Sequence, residues 1–221
     1  MSSTQVPLSG TEATVIGLVT FGVVAFDVTW QVLKYGTVMA HEGAHAVLIS
    51  LLFRGWDGTE LNLPDAEGGT YPKKDGGCLG TAIIAFIGYV GPSLSGLGAA
   101  RLIQTGHIVD VLWVTLFLLV LLAFGLRWSY GVITVPLAAG LVYVVGRYTS
   151  AGVQIVAAYA IAWFLLLSGV RGILRRMRTG SGDGERLNGL TGVPQFIWFL
   201  VWMAATLGAV AIGGKMLVMP T

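Results

Sequence analysis

The chain has 221 residues, 55% of them hydrophobic and only 11% charged, with a mean hydropathy of +0.78 and a net charge of +2. A water-soluble domain carries about 25% charged residues, so this chain cannot cover its apolar surface with polar groups and must use lipid as solvent for much of it. The small net charge argues against a nucleic-acid partner, and the single cysteine, Cys78, excludes an internal disulfide.

Met1 to Gly10 is polar and lacks the basic region of a cleaved signal peptide. Thr14 to Leu33 is apolar and, at about 20 residues, long enough to span a bilayer. Asp27 interrupts it, either as a carboxyl near the interface or bonded within the bundle, or as a proton-relay group near a site. Tyr35 to Phe53 is a second apolar helix. Lys34-Tyr35-Gly36 is the only break before it, so the two segments form either a tight hairpin or one bent element.

The second helix carries His41-Glu42-Gly43-Ala44-His45. Positions i and i+4 share one helical face, so His41 and His45 aim two imidazoles at one metal ion. Glu42, beside the first ligand, reaches a metal-activated water without binding the ion itself. Two of the three histidines in the chain sit here, in a segment where burying His, Glu and His without a purpose would be costly.

Residues 55–77 differ in kind. Glycines and prolines break any helix, Thr59 to Leu63 alternates polar and apolar residues, and Thr70-Tyr71 follows a turn-like Pro64 to Gly69. The pattern predicts a short β-hairpin at the membrane surface, or a solvated linker. A hairpin edge there could pair with an extended peptide. Leu79 to Gln104 is a further span, with Gly91, Pro92, Ser93, Ser95 and Gly96 in its middle. Pro92 would kink it, and the glycines permit close helix packing. Ile108–Leu126 and Ser129–Val145 are spans without convincing chemistry of their own, and Ala151–Leu174 and Gln195–Gly213 are two more spans. The basic cluster Arg171 to Arg178 reads as a headgroup anchor. Residues 177–194 read as a cytoplasmic or re-entrant loop.

The expected fold is therefore an all-α polytopic membrane protein of about six to seven helices, forming one membrane-embedded domain over residues 1–221. The distribution of Lys and Arg favours the N-terminus inside, with the β-loop and the Asp183 loop both cytoplasmic. In that arrangement the histidine helix starts from the far side. It meets Asp183 only if it is deep or kinked, or if the Asp183 segment dips inward.

A catalytic zinc takes three protein ligands and keeps one position open. Candidates for the third are Asp183, Glu185, Asp27, Asp110 and His107. Asp183 leads, as an acid in a Gly-rich segment between two spans.

The membrane-embedded His-Glu-Gly-Ala-His followed by a β-loop resembles the site-2 protease family of intramembrane zinc metallopeptidases, particularly its short bacterial branch. Gly91-Pro92-Ser93-Leu94-Ser95 is similar to that family's Gly-Pro helix, with Ser95 standing where Asn is usual. Asp183-Gly184, Leu187, Thr191-Gly192-Val193-Pro194 and Trp198 resemble its late motifs. The resemblance implies zinc held by His41, His45 and Asp183, with Glu42 as general base. It also implies Gly91, Pro92 and Ser95 near a membrane-embedded or membrane-anchored peptide substrate, such as a regulatory membrane protein or a signal-peptide remnant, in a bacterial cell membrane. Two other readings fit the same residues: an inactive scaffold or peptide-binding relative, and a small metal or proton transporter.

Overall fold

The apolar runs fold as helices in a computed structural model that describes residues 5–52, 55–62, 67–74, 77–127, 129–179 and 182–219. In chain order these are α1 (Gly10–Ala25), α2 (Asp27–Leu51), the strands β1 (Trp56–Asn62) and β2 (Glu67–Pro72), then α3 (Gly77–Gln104), α4 (Asp110–Phe124), α5 (Gly131–Tyr148), α6 (Ala151–Thr179), α7 (Asp183–Thr191) and α8 (Gln195–Val218). The helices α3, α5, α6 and α8 are each long and apolar enough to cross a membrane, and α1 and α2 pass that test together as a bent pair. The 15-residue α4 is apolar but shorter. The protein is a multi-pass integral membrane protein with four or five full-length spans.

The first departure from expectation is the place of the break. The chain runs helically through Lys34-Tyr35-Gly36 and bends by 100° at Phe26, whose backbone is extended. Four interactions hold this bend. Asp27 sits in the first turn of α2, where its charge opposes the positive end of the helix. Arg171 of α6 pairs with Asp27 and donates to the Val24 carbonyl, which the bend frees from its helical partner. The same guanidinium lies 4.7 Å above the Trp30 ring. Asp27 is thus bound to the bend and takes no part in the histidine cluster.

α3 is the hub, packed against α2, α6, α7 and α8. Its contact with α6 is at backbone distance: a β-carbon at Gly96 would lie 2.7 Å from the Leu166 nitrogen. One core cluster joins α1, α3, α6 and α8 around Ile103, Tyr159, Leu166 and Leu217. A second, nearer the histidines, joins Tyr89, Ile173, Leu187, Phe199 and Trp202. The Trp202 indole donates to the Phe86 carbonyl at 2.9 Å.

The second departure is residues 177–194, expected as a loop. α6 continues to Thr179, and the nine-residue α7 follows. Acids in its first turn and a left-handed Gly192 at its end are the ordinary start and stop signals of a helix. Leu187 anchors it in the Tyr89 cluster. Its polarity hid it from a search for apolar runs.

The hairpin is present as expected, antiparallel, with Thr59 opposite Thr70 and Leu61 opposite Gly68. The outer edge of β1 is covered: Thr59 donates to the Gly125 carbonyl at 2.8 Å and accepts from the Arg127 amide at 2.9 Å. The sheet has two strands among the described residues, so the other edge of β2 is open. Residues 63–66 of the expected turn lie outside the described residues.

Candidate metal centre

Helical spacing puts His41 and His45 one turn apart on α2, facing α3. Their Nε2 atoms are 3.1 Å apart. Asp183, the first residue of α7, brings its Oδ2 to 3.1 Å from His41 and 3.2 Å from His45. α2 and α7 both pack on α3, which is how an acid so late in the chain reaches the histidines. Three lone-pair donors in one half-buried triangle repel one another unless a proton or a cation lies among them. Four ligands arranged tetrahedrally at about 2.0–2.1 Å from an ion are roughly 3.3–3.4 Å apart, close to the separations found.

The space for an ion comes from Gly88 of α3. A β-carbon there would lie 2.5 Å from His45 Nε2 and 2.6 Å from His41 Nε2. The ligand set, its spacing and this gap therefore fit a metal ion. Burial alone would push the Asp183 carboxyl up, but the two imidazoles beside it outweigh burial and hold the group well below the usual carboxylate range. The ring of Tyr89 meets His41 edge-on at 4.8 Å, and Tyr89 itself packs on Trp202. The His41 imidazole is thus held by an aromatic wall on α3 and α8.

Glu42 is buried beside the histidines, and His41, Glu42 and His45 form a group able to hold or serve a metal ion. Its carboxylate meets the hairpin. Oε2 accepts from the Thr70 hydroxyl at 2.7 Å, and a β-carbon at Gly68 would lie 2.5 Å from Oε1. Sequence reasoning passed over Gly88, Thr70 and Tyr89. The only sequence signal for Gly88 was its spacing three residues before Gly91, which places two side-chain-free positions on one face of α3.

The other candidate ligands are elsewhere. His107 and Asp110 pair with each other at 3.0 Å, and Glu185 is exposed. Of the three residues expected to meet substrate, Pro92 lines the cavity at the metal centre. Gly91 instead faces α2, where a β-carbon would lie 2.4 Å from that of Ala44. Ser95 is exposed and stands seven residues, about 10 Å of helical rise, beyond Gly88. It is not among the residues lining the cavity. The buried polar residue of this stretch is Ser93, which donates to the Leu166 carbonyl at 3.2 Å and serves helix packing.

The metal centre opens into a cavity of about 590 Å³. Gly68 to Pro72 of β2 form one wall, and Lys34, Arg175 and Arg176 stand on another. The open strand edge and the ligand cluster therefore share one chamber.

Comparison with curated proteins and with solved structures gave no match. A family model described as Peptidase M50B-like matches residues 14–213, nearly the whole chain. Its match and the largely buried His-Glu-His group on a membrane-embedded helix agree: the chain belongs to the Peptidase M50B-like family, within the site-2 protease group of intramembrane metallopeptidases.

Proposed function

We propose that this protein is a zinc endopeptidase that cuts membrane-embedded or membrane-anchored peptides, with His41, His45 and Asp183 as ligands and Glu42 as general base. The observation that carries this reading is the convergence of three ligand atoms within 3.2 Å of one another, beside a buried Glu42 and an open strand edge. When bound, zinc supplies a Lewis acid for the scissile carbonyl and makes water acidic enough to lose a proton near neutrality. Glu42 accepts that proton and returns it to the leaving amine. His41, His45 and Asp183 hold the charge in place, and Gly88 leaves room for it. The free edge of β2 receives the substrate backbone as an added strand. A helical peptide hides its carbonyls in its own hydrogen bonds, so pairing with β2 exposes the bond to be cut. Pro92 forms part of the wall against which that segment lies.

The test is Glu42→Gln in purified, reconstituted protein presented with a membrane-anchored peptide. The expected result is full zinc content and cleavage lowered by at least about 1,000-fold. Cleavage at the wild-type rate would overturn the assignment of the base.

A further inference from the structure

Behind Glu42 lies a buried chain of hydrogen bonds that crosses the hairpin. The Trp56 indole donates to Thr59 Oγ1 at 3.2 Å, Thr59 Oγ1 lies 2.9 Å from Thr70 Oγ1, and Thr70 Oγ1 donates to Glu42 Oε2 at 2.7 Å. Thr59, Thr70 and Glu42 are all buried. Chemistry at the two ends fixes the direction. An indole N–H only donates, and an ionised carboxylate only accepts. The Thr70 proton is committed to Glu42, so the Thr59 hydroxyl must donate to Thr70. Each hydroxyl is then satisfied as both donor and acceptor; the Glu42 carbonyl, 3.3 Å from Thr70 Oγ1, is a second and more distant acceptor on the same residue.

We propose that Thr70, supported by Thr59 and Trp56, is a positioning residue for the general base; this rests on the reading of Glu42 given above. A cross-strand Thr pair ordinarily only stabilises a sheet. Here the second hydroxyl points out of the hairpin onto a carboxylate of α2, which is a different use. Holding Oε2 in a charge-assisted bond leaves Oε1, against the bare backbone of Gly68, as the oxygen that takes and gives the proton. The anchor survives the proton transfer, because Thr70 continues to donate to Oε2 when the proton sits on Oε1. Thr59 is itself clamped through its backbone to Gly125 and Arg127, which keeps the relay in register. The base is thereby tied to the same hairpin whose open edge takes the substrate.

The experiment measures kcat, KM and zinc content for Thr70→Val, Thr70→Ser, Thr59→Val, Trp56→Phe and Glu42→Gln in reconstituted full-length protein. Hydrogen exchange of residues 67–72 in the metal-free state is measured alongside. Thr70→Val is expected to lower kcat about 10- to 100-fold, the loss of one hydrogen bond to a charged group, with KM and zinc content unchanged. Thr70→Ser is expected to restore most of the rate, with Thr59→Val and Trp56→Phe showing progressively smaller losses. Exchange over 67–72 is expected to rise in Thr70→Val without metal present. A zinc-loaded Thr70→Val with wild-type kcat, or with its loss confined to KM, would overturn the proposal. If Thr70→Val does not fold, Thr59→Val decides by the same criterion. Activity in Glu42→Gln would instead refute Glu42 as the base. A silent Glu42→Gln beside a fully active Thr70→Val would refute the relay alone.

Discussion

Gly88→Ala adds one methyl group and replaces no proposed ligand, yet it should empty the metal centre. The new β-carbon would stand 2.5 Å from His41 Cε1, 2.5 Å from His45 Nε2 and 2.6 Å from His41 Nε2. Non-bonded contacts of this kind settle at about 3.5 Å, so both imidazoles would have to retreat by about 1 Å. Metal–ligand distances tolerate roughly 0.2 Å. Removing a group that merely supports a ligand costs about 10- to 100-fold in metal affinity, so the expected loss here is at least about 100-fold, with cleavage lost in parallel. The fold should survive, because alanine is favoured over glycine within a helix by about 1 kcal/mol, offsetting part of the crowding. Gly98→Ala, in the same helix with nothing within 4 Å of the added carbon, is the control and should leave both affinity and activity unchanged. Zinc affinity is read by competition with a chelating dye, and integrity by thermal unfolding in detergent. A folded Gly88→Ala binding zinc as the wild type does would refute the placement of the ion between the histidines and α3.

Three further outcomes follow from the geometry. Asp183→Ala removes one corner of the ligand triangle and should lower zinc affinity by at least about 100-fold; metal analysis showing full retention would exclude Asp183 as a ligand. If substrate adds to the β2 edge, a proline scanned through the peptide should impair cleavage at alternate positions, since only alternate amides face the strand; a flat response would exclude strand addition. Arg171→Leu removes the donor to Val24, the partner of Asp27 and the cation over Trp30, and should cost about 1–3 kcal/mol. Asp27→Asn should cost under about 1 kcal/mol, because the Asp27 side chain is 93% exposed. Equal losses measured by thermal unfolding would contradict this account of the bend.

The sequence made the helix-borne His-Glu-His legible because its chemistry lies within two turns of one helix. The hairpin was legible for a similar reason, from local alternation and glycine punctuation. Asp183 could be ranked first among the acids, but its route to the histidines runs through the packing of α2 and α7 on α3, and α2 itself starts at a bend at Phe26 that no glycine or proline marks. That bend is held by Arg171, which is 144 residues from Asp27, a distance at which periodicity carries no information. α7 was missed because its nine residues, polar or glycine apart from Leu187 and Leu190, resemble a loop. Thr70 was invisible as a partner of Glu42 because the two are 28 residues apart and meet only once the hairpin folds back on α2. Ser95 was singled out by similarity of position along the chain, whereas the depth of the metal centre on α3 is set by Gly88.

The most direct test of the central claim is metal analysis of the purified wild-type protein combined with cleavage of a membrane-anchored peptide in liposomes. The account predicts about one zinc per chain, cleavage lost on chelation and cleavage restored by added zinc. A chain that purifies and folds without metal, or that cleaves equally well after complete chelation, would contradict it.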